Sequence, residues 1–423
     1  MLGVSTDRLS SDDRRSTAKR IFGSTTALWF AFVITHVVLA ALAFMSRDAA
    51  LGDIEKVYRG WAQQALDEHL VVGIDASWVY PIVAIVPILI AALGGLAAYL
   101  FTWFTLVFVV DSFAFAVLVG GWRSSPKNVV AAWWWIGFLL LLGPIALARI
   151  DSIAVPIVIV GLLWVTIRPR VAGALLAIAT WIKVWPGAVV VAVTTAARER
   201  WRVLVGALVM SGAVVGAALL LGSGTRVFSF ITEQTGRGLQ IEAPVSGIYV
   251  WDAVFGSGQS RGHYNYTALT YEIAGPGSEV VAKIVTPLLA AVAAAILIAG
   301  ALAVRRGGSY RLVLPPLVLA LVTALIAFNK VGSPQFIGWL AAPVILGLVY
   351  QGRGFRFPAI LVAIIGVLTQ VVYPYLYGLL LDLNVAMVIV LTARNLLYVV
   401  LLGWALRCLW VGSRADGAKR VSR

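Results

Sequence analysis

Apolar runs separated by short polar stretches recur along the 423-residue chain. A run of about 20 apolar residues is enough for a helix to cross the hydrocarbon core of a bilayer. This pattern predicts spans near 26–45, 79–98, 101–120, 130–148, 153–167, 171–196, 203–222, 280–304, 312–328, 336–350, 358–378 and 386–410. The expected architecture is all-α, a polytopic helical membrane protein of about twelve transmembrane helices. One integrated domain would occupy 26–410, between cytoplasmic tails at 1–25 and 411–423, with outer loops at 46–78 and 223–279.

Two stretches depart from plain spans. Over 54–66, Ile54, Val57, Tyr58, Trp61, Ala62, Ala65 and Leu66 recur at helical spacing, opposite Glu55, Lys56, Arg59, Gln63 and Gln64. That stripe predicts a helix lying flat in the membrane interface, apolar face down, in the first outer loop. Between 144 and 187 the run 153–167 is short, and "TWIKVWPG" (180–187) puts a lysine and a proline inside an apolar stretch. Broken helices that dip in and return are expected there, because irregular backbone at membrane depth survives only where it lines protein or a cavity.

Composition agrees: 61% of residues are hydrophobic and 12% charged, with mean hydropathy +0.93. A soluble domain of this size needs more polar surface than that. The net charge of +14 sits in Arg14, Arg15, Lys19 and Arg20, in "RERWR" (198–202), "RRGGSYR" (305–311) and "QGRGFR" (351–356), and in the C-terminal tail. Cations gathered between spans mark cytoplasmic loops, so the surplus orients the protein and faces anionic lipid; it does not imply nucleic acid. "RPR" (168–170) and "WRSSPK" (122–127) fall on the other side in this count. Acids concentrate in the remaining loops, from Asp48 to Asp75 and from Glu233 to Glu279. The single cysteine, Cys408, excludes an intrachain disulfide. The first apolar run is longer than a signal-peptide core and is expected to remain as a span.

Candidate chemistry lies in the acids and cations near the outer side. Asp53 is either an N-cap of the interfacial helix or a carboxylate at a cavity mouth, able to take a proton from a bound hydroxyl. Glu55 is expected on the solvated face. Asp111, inside a span, either pairs with Lys183 or Arg149 or takes a catalytic role in a cavity. Asp151 either caps the helix at 153–167 or orients Arg149. Lys183 either snorkels or meets a lipid phosphate. Arg237 suits a phosphate through its bidentate fork, or touches headgroups; Gln240 and Glu242 accompany it in "GRGLQIE" (236–242). Lys330 is a second phosphate candidate, and Gln335 either bonds sugar hydroxyls or caps a helix. His263 reads as a solvated loop residue. No nucleophile elbow, P-loop, HExxH or CxxC pair is present, so the driving energy must arrive with a substrate. Asp53 and Glu55 could share a cation with Glu242, but no spacing demands a metal.

"GDIEKVYRGWA" (52–62) followed by "WVYPIVA" (78–84) resembles the first outer loop of family 87 glycosyltransferases, within the GT-C class of polyprenyl-phosphate-sugar-dependent membrane enzymes. "ARIDS" (148–152), "TWIKVWPG", "GRGLQIEAP" (236–244), "KVGSPQFIGWLAAP" (330–343), "LTQVVYPYLYGLL" (368–380) and "ARNLLYVVLL" (393–402) are similar to further family stretches in the same order, covering roughly 26–410. The resemblance implies a catalytic acid in the first outer loop. Asp53 is the residue that matches, with Glu55 as competitor because the offset to Tyr58 is one residue longer than in many relatives. It brings Tyr58 and Tyr80 into the substrate-binding set with Arg237, Lys330, Lys183, Gln240, Glu242 and Gln335. It implies inverting transfer of a sugar from a polyprenyl-phosphate donor to a lipid-anchored glycan or glycolipid, on the outer face of the cytoplasmic membrane, with no cofactor. Mannose is the first expectation and arabinofuranose the second, within cell-envelope synthesis. "SPQFIGW" lacks the histidines that the phosphatidylinositol mannoside branch carries after its serine-proline, so acceptor and sugar are expected to differ from that branch. The alternatives are a secondary transporter or lipid flippase, which would concentrate ionisable groups at the midplane between repeats, and a non-catalytic assembly subunit, which would tolerate Asp53→Ala.

Overall fold

The computed structural model describes residues 24–46, 50–120, 125–233, 236–256 and 258–421, with side chains as far as 411. The expectations placed on the tail 1–23, on Asp48, on Trp122 and Arg123, and on the charged side chains beyond 411 lie outside these residues.

The chain is helical and polytopic. In order, α1 is Thr25–Met45; a π-helical turn, Asp53–Tyr58, leads into α2, Arg59–Asp67; α3 is Ile85–Ala91, α4 Tyr99–Val119, α5 Pro126–Leu142, α6 Asp151–Trp164, α7 Pro169–Ile182, α8 Pro186–Ala196 and α9 Arg200–Leu220. The 223–279 loop carries α10, Gly247–Val254, and strands β1, Arg261–Asn265, and β2, Thr270–Ala274. Then follow α11, Ser278–Arg305; α12, Tyr310–Ala327; α13, Ala341–Gln351; α14, Arg356–Gln370; and α15, Val385–Val421.

Among the described residues, eight stretches are long and apolar enough to cross a membrane, one of which, Pro334–Tyr375, holds both α13 and α14. The expected count of about twelve is corrected in length rather than in position. Ile82–Gly94, Asp151–Trp164, Pro169–Ile182 and Pro186–Ala196 sit where spans were expected, but each has fewer than 18 residues. At ~1.5 Å per residue these fall short of the ~30 Å hydrocarbon thickness. The run 171–196 divides at Lys183, whose backbone is extended (φ −148°, ψ 139°), and Pro186 opens α8, where its missing N–H costs nothing. Broken helices were expected at this place.

Helix α12 runs through the centre, with 72% of its span buried, against 17% for α11. Phe30 on α1, Leu208 on α9 and Ile298 on α11 turn outward, as lipid-facing apolar side chains do. Helices α7 and α9 approach until a Cβ on Gly173 would strike the Val203 carbonyl and one on Gly206 the Arg170 carbonyl. Small residues at a close crossing substitute for the hydrophobic drive that lipid removes.

The amphipathic segment is helical, but its apolar face does not lie on lipid. Ile54, Tyr58 and Ala62 are fully buried in protein, and Tyr58 packs on Trp103 and Tyr80 at 5.2 and 6.5 Å between centroids. The cross-chain aromatic cluster offers tighter, more specific packing than headgroups do. The hairpin β1–β2, paired antiparallel from Arg261↔Ala274 to Asn265↔Thr270, was not anticipated. It is the only sheet among the described residues.

Candidate functional site

Asp53 begins the π-helical turn, and no side chain caps that turn. The carboxylate instead binds Arg149, with Nε 3.1 Å from Oδ2. Arg149 belongs to the "ARIDS" turn before α6 and is almost fully buried, whereas the Asp53 side chain keeps 38% of its surface exposed. The guanidinium also donates to the carbonyls of Ala50 and Ala148, both at 2.7 Å, and to the Tyr373 hydroxyl at 2.7 Å. One arginine thus ties together the 46–78 loop, the "ARIDS" turn and the 371–375 kink. A planar fork with five donors suits that task. Among the described residues Oδ1 of Asp53 has no hydrogen-bond partner. One oxygen is held and the other is reachable.

Lys183, in the break between α7 and α8, stands over the Tyr80 ring, 4.4 Å from its centroid, and 3.6 Å from Asp151 Oδ2. It lies within electrostatic reach of both Asp53 and Arg237. Arg237 reaches Lys330 as well. The cause is backbone pairing in the 223–279 loop. Ile241 N–H donates to the Tyr271 carbonyl and Ile273 N–H to the Leu239 carbonyl, so "GRGLQ" runs beside β2. The Gln240 N–H donates to the Lys330 carbonyl at 3.0 Å, which draws the 330–333 segment to the same place. Glu272 clamps this layer by accepting from Gly238 N–H and Asn265 Nδ2, each at 3.1 Å. Burial lowers the pKa of the Lys330 ammonium from 10.5, against the pull of Glu272 and with the push of Arg237. Three cations from three chain segments therefore share one neighbourhood with Asp53, with Asp151 against Lys183 and Glu272 near Lys330. Among the described residues Arg237 has no ion-pair partner. Like charges gathered this way favour an anion between them.

Other expected site residues are placed elsewhere or used internally. Tyr58 is fully buried, and its hydroxyl accepts the Ile150 N–H at 3.2 Å. It supports the "ARIDS" turn and presents no surface to a substrate. Glu242 is paired with Arg394 on α15, Nη1 to Oε2 at 2.8 Å, and its carbonyl takes Nη2 at 3.0 Å. Burial raises the Glu242 carboxyl against the pull of Arg394. Gln240 is buried and pins its loop through backbone bonds. Gln335 is 9% exposed and lines a small internal cavity with Asp111, Asp151 and Ser152. Glu55 lies two residues beyond Asp53 on the same turn and is half-buried. His263 is half-exposed, 3.8 Å from Glu272.

The acids inside the membrane found partners other than those expected. Asp111 meets His36 of α1 at 3.0 Å, rather than Lys183 or Arg149. Asp151 accepts from the Trp339 indole at 2.6 Å and neither caps α6 nor holds Arg149. Arg394, Glu272 and Tyr373 were not singled out from sequence. An arginine inside the apolar run "LTARNLLY" was the readable signal for Arg394, since such a charge must be paired. Among the described residues no three His, Cys, Asp or Glu side chains converge on a metal-sized position.

No curated protein and no solved structure matches the chain. Residues 78–257, from the aromatic entry to α3 through α10, match the model of glycosyltransferase family 87. The polytopic helical architecture is consistent with that match, so over these residues the chain is similar to a family of membrane glycosyltransferases.

Proposed function

We propose that this protein moves a sugar, mannose first and arabinofuranose second, from a polyprenyl-phosphate donor to a hydroxyl of a lipid-anchored glycan or glycolipid at the outer face of the membrane. Asp53 is the general base in this reading, and Arg237, Lys330 and Lys183 receive the departing lipid phosphate. The observation that carries it is the half-open carboxylate clasped by Arg149 beside that cation cluster.

Asp53 takes the proton from the acceptor hydroxyl as its oxygen attacks the anomeric carbon. The bond from that carbon to the phosphate oxygen breaks on the opposite side, and the phosphate leaves with the bonding electrons into the cation cluster. A single displacement inverts the centre and needs one carboxylate; a two-step route would require a second beside it. Glu242, an acid of the 223–279 loop, is engaged by Arg394. Tyr80 aligns Lys183 by cation–π contact. A transporter would keep loaded ionisable groups at the midplane; here the acid within α4, Asp111, is already matched by His36.

The test is Asp53→Asn in membranes supplied with radiolabelled mannosyl- and arabinosyl-phosphate polyprenol in parallel. Loss of transfer with the fold intact supports the assignment. Normal transfer removes it, and loss in Glu55→Gln alone moves the base two residues along the turn.

A further inference from the structure

The outer side carries five tyrosines in unbroken ring contact. Tyr266, in the hairpin turn, meets Tyr264 with centroids 5.0 Å apart and planes at 84°. Tyr264 meets its strand partner Tyr271 at 4.9 Å and 64°. Tyr271 meets Tyr377 at 6.0 Å and 69°, and Tyr377 meets Tyr373 at 5.3 Å and 81°. Tyr373 is the ring whose hydroxyl takes Arg149, the residue that clasps Asp53. The line therefore runs from bulk solvent, where Tyr266 is 83% exposed, to the candidate base. Tyr264 itself lies within electrostatic reach of Asp53.

The hairpin does not require these outermost rings. Its strands are paired over five residues, and Glu272 ties it to the Arg237 loop. Among the described residues, the hydroxyls of Tyr264, Tyr266, Tyr271 and Tyr377 have no hydrogen-bond partner. Tyr266 and Tyr264 are exposed, whereas Tyr271 and Tyr377 pack half-buried on the apolar cluster around Leu239 and Val250; exposed aromatic rings held on such a base mark a surface that meets something else. A sugar ring has a face of C–H groups and a rim of hydroxyls. A tyrosine matches both, with a π face bearing negative charge for the C–H groups and a polar tip for the rim. A lone interfacial tyrosine anchors a protein among headgroups, but anchoring does not require a continuous row ending at a carboxylate.

We propose that Tyr266 and Tyr264, held in place by Tyr271 and Tyr377 behind them, form a saccharide subsite for the glycan acceptor, stacking its sugar rings and directing the terminal hydroxyl toward Asp53. This deepens the transferase reading and rests on it. The row is uncharged, so the ligand it takes is a neutral saccharide.

The test uses the full chain in detergent micelles, with methyl α-mannobioside and a methyl arabinofuranoside disaccharide as probes and saturation-transfer NMR as readout. The wild type is expected to saturate the ring C–H protons of at least one probe. Tyr266→Ala and Tyr264→Ala are each expected to weaken that binding roughly threefold to tenfold, the worth of one aromatic contact. Tyr310→Ala, remote from the row, is expected to bind as the wild type does. Tyr266 is exposed, so its removal leaves the packing untouched and the result stands even where Tyr264→Ala fails to fold. No saturation with either probe, or undiminished binding in Tyr266→Ala, overturns the subsite. The readout needs no turnover. Normal transfer by Asp53→Asn together with lost saccharide contact in the tyrosine variants would remove the base and leave the subsite standing.

Discussion

Two carboxylate–guanidinium pairs anchor the 46–78 and 223–279 loops of this protein. In Glu242–Arg394 the two side chains are 2% and 3% exposed, and the arginine also binds the Glu242 carbonyl and Asn395. In Asp53–Arg149 the arginine is equally hidden, at 6%, but the carboxylate keeps 38% of its surface. Pairing chemistry is the same and access differs. A carboxylate buried together with its arginine docks α15 to the 223–279 loop and has no path to solvent. One left partly exposed keeps an oxygen that solvent can reach, and its direction is set by the arginine behind it. Ion pairing near a membrane surface therefore marks structure or chemistry according to which partner water can reach.

That contrast can be broken in four ways. The largest effect is expected from Asp53→Asn, which keeps shape and removes the proposed base: transfer falls by roughly 10²–10⁴-fold, while the thermal midpoint of the purified protein stays close to wild type. Removing the sealed acid should do the reverse. Glu242→Ala leaves Arg394 buried without its carboxylate and costs about 3–5 kcal/mol of stability, read as a lowered melting midpoint, with transfer per folded molecule little changed. Glu242→Leu combined with Arg394→Met recovers much of that loss if the pair is structural, because an apolar replacement spares both desolvation penalties. Next comes Arg149→Lys. An ammonium cannot serve Asp53, two carbonyls and Tyr373 from one plane, so the carboxylate drifts and transfer falls roughly tenfold to a hundredfold. A fall in stability without a fall in transfer would make Arg149 merely structural.

The smallest effect concerns pH. Burial lowers the Lys330 pKa from 10.5, so its charge is lost before that of a free lysine as the pH rises. Donor affinity should weaken a few-fold in that alkaline window, below the ordinary lysine value, and recover as pH falls again. Lys330→Arg stays protonated throughout and should flatten the profile. An unchanged slope in Lys330→Arg would separate Lys330 from the donor phosphate.

Much of the architecture was readable in advance because hydropathy is a local property. The break at Lys183 followed from one charge and one proline inside an apolar run, and α1, α9 and α11 lie where their runs lie. The interfacial helix shows the limit. Its period was legible, but the stripe of Ile54, Tyr58 and Ala62 matches lipid and protein equally well as a pattern, and the structure turned it onto Trp103 and Tyr80. The hairpin β1–β2 escaped notice because its aromatic residues stand on a mostly solvated ribbon, with no clean alternation of buried and exposed positions. Of the expected site, Asp53, Lys183, Arg237 and Lys330 come into one neighbourhood, whereas Tyr58, Gln240, Glu242 and Gln335 are absorbed into packing.

Sequence alone determined that this chain lives in a membrane, where its helices start and break, and which few charged side chains had to find partners, since each of these follows from the cost of putting polar groups into hydrocarbon. Only the tertiary structure decided who the partners are. Arg149 meets a loop 99 residues before it and Arg394 one 152 residues before it. No local pattern encodes a pairing over such separations. It exists once the helices have packed, and packing is what left one acid open and closed the other.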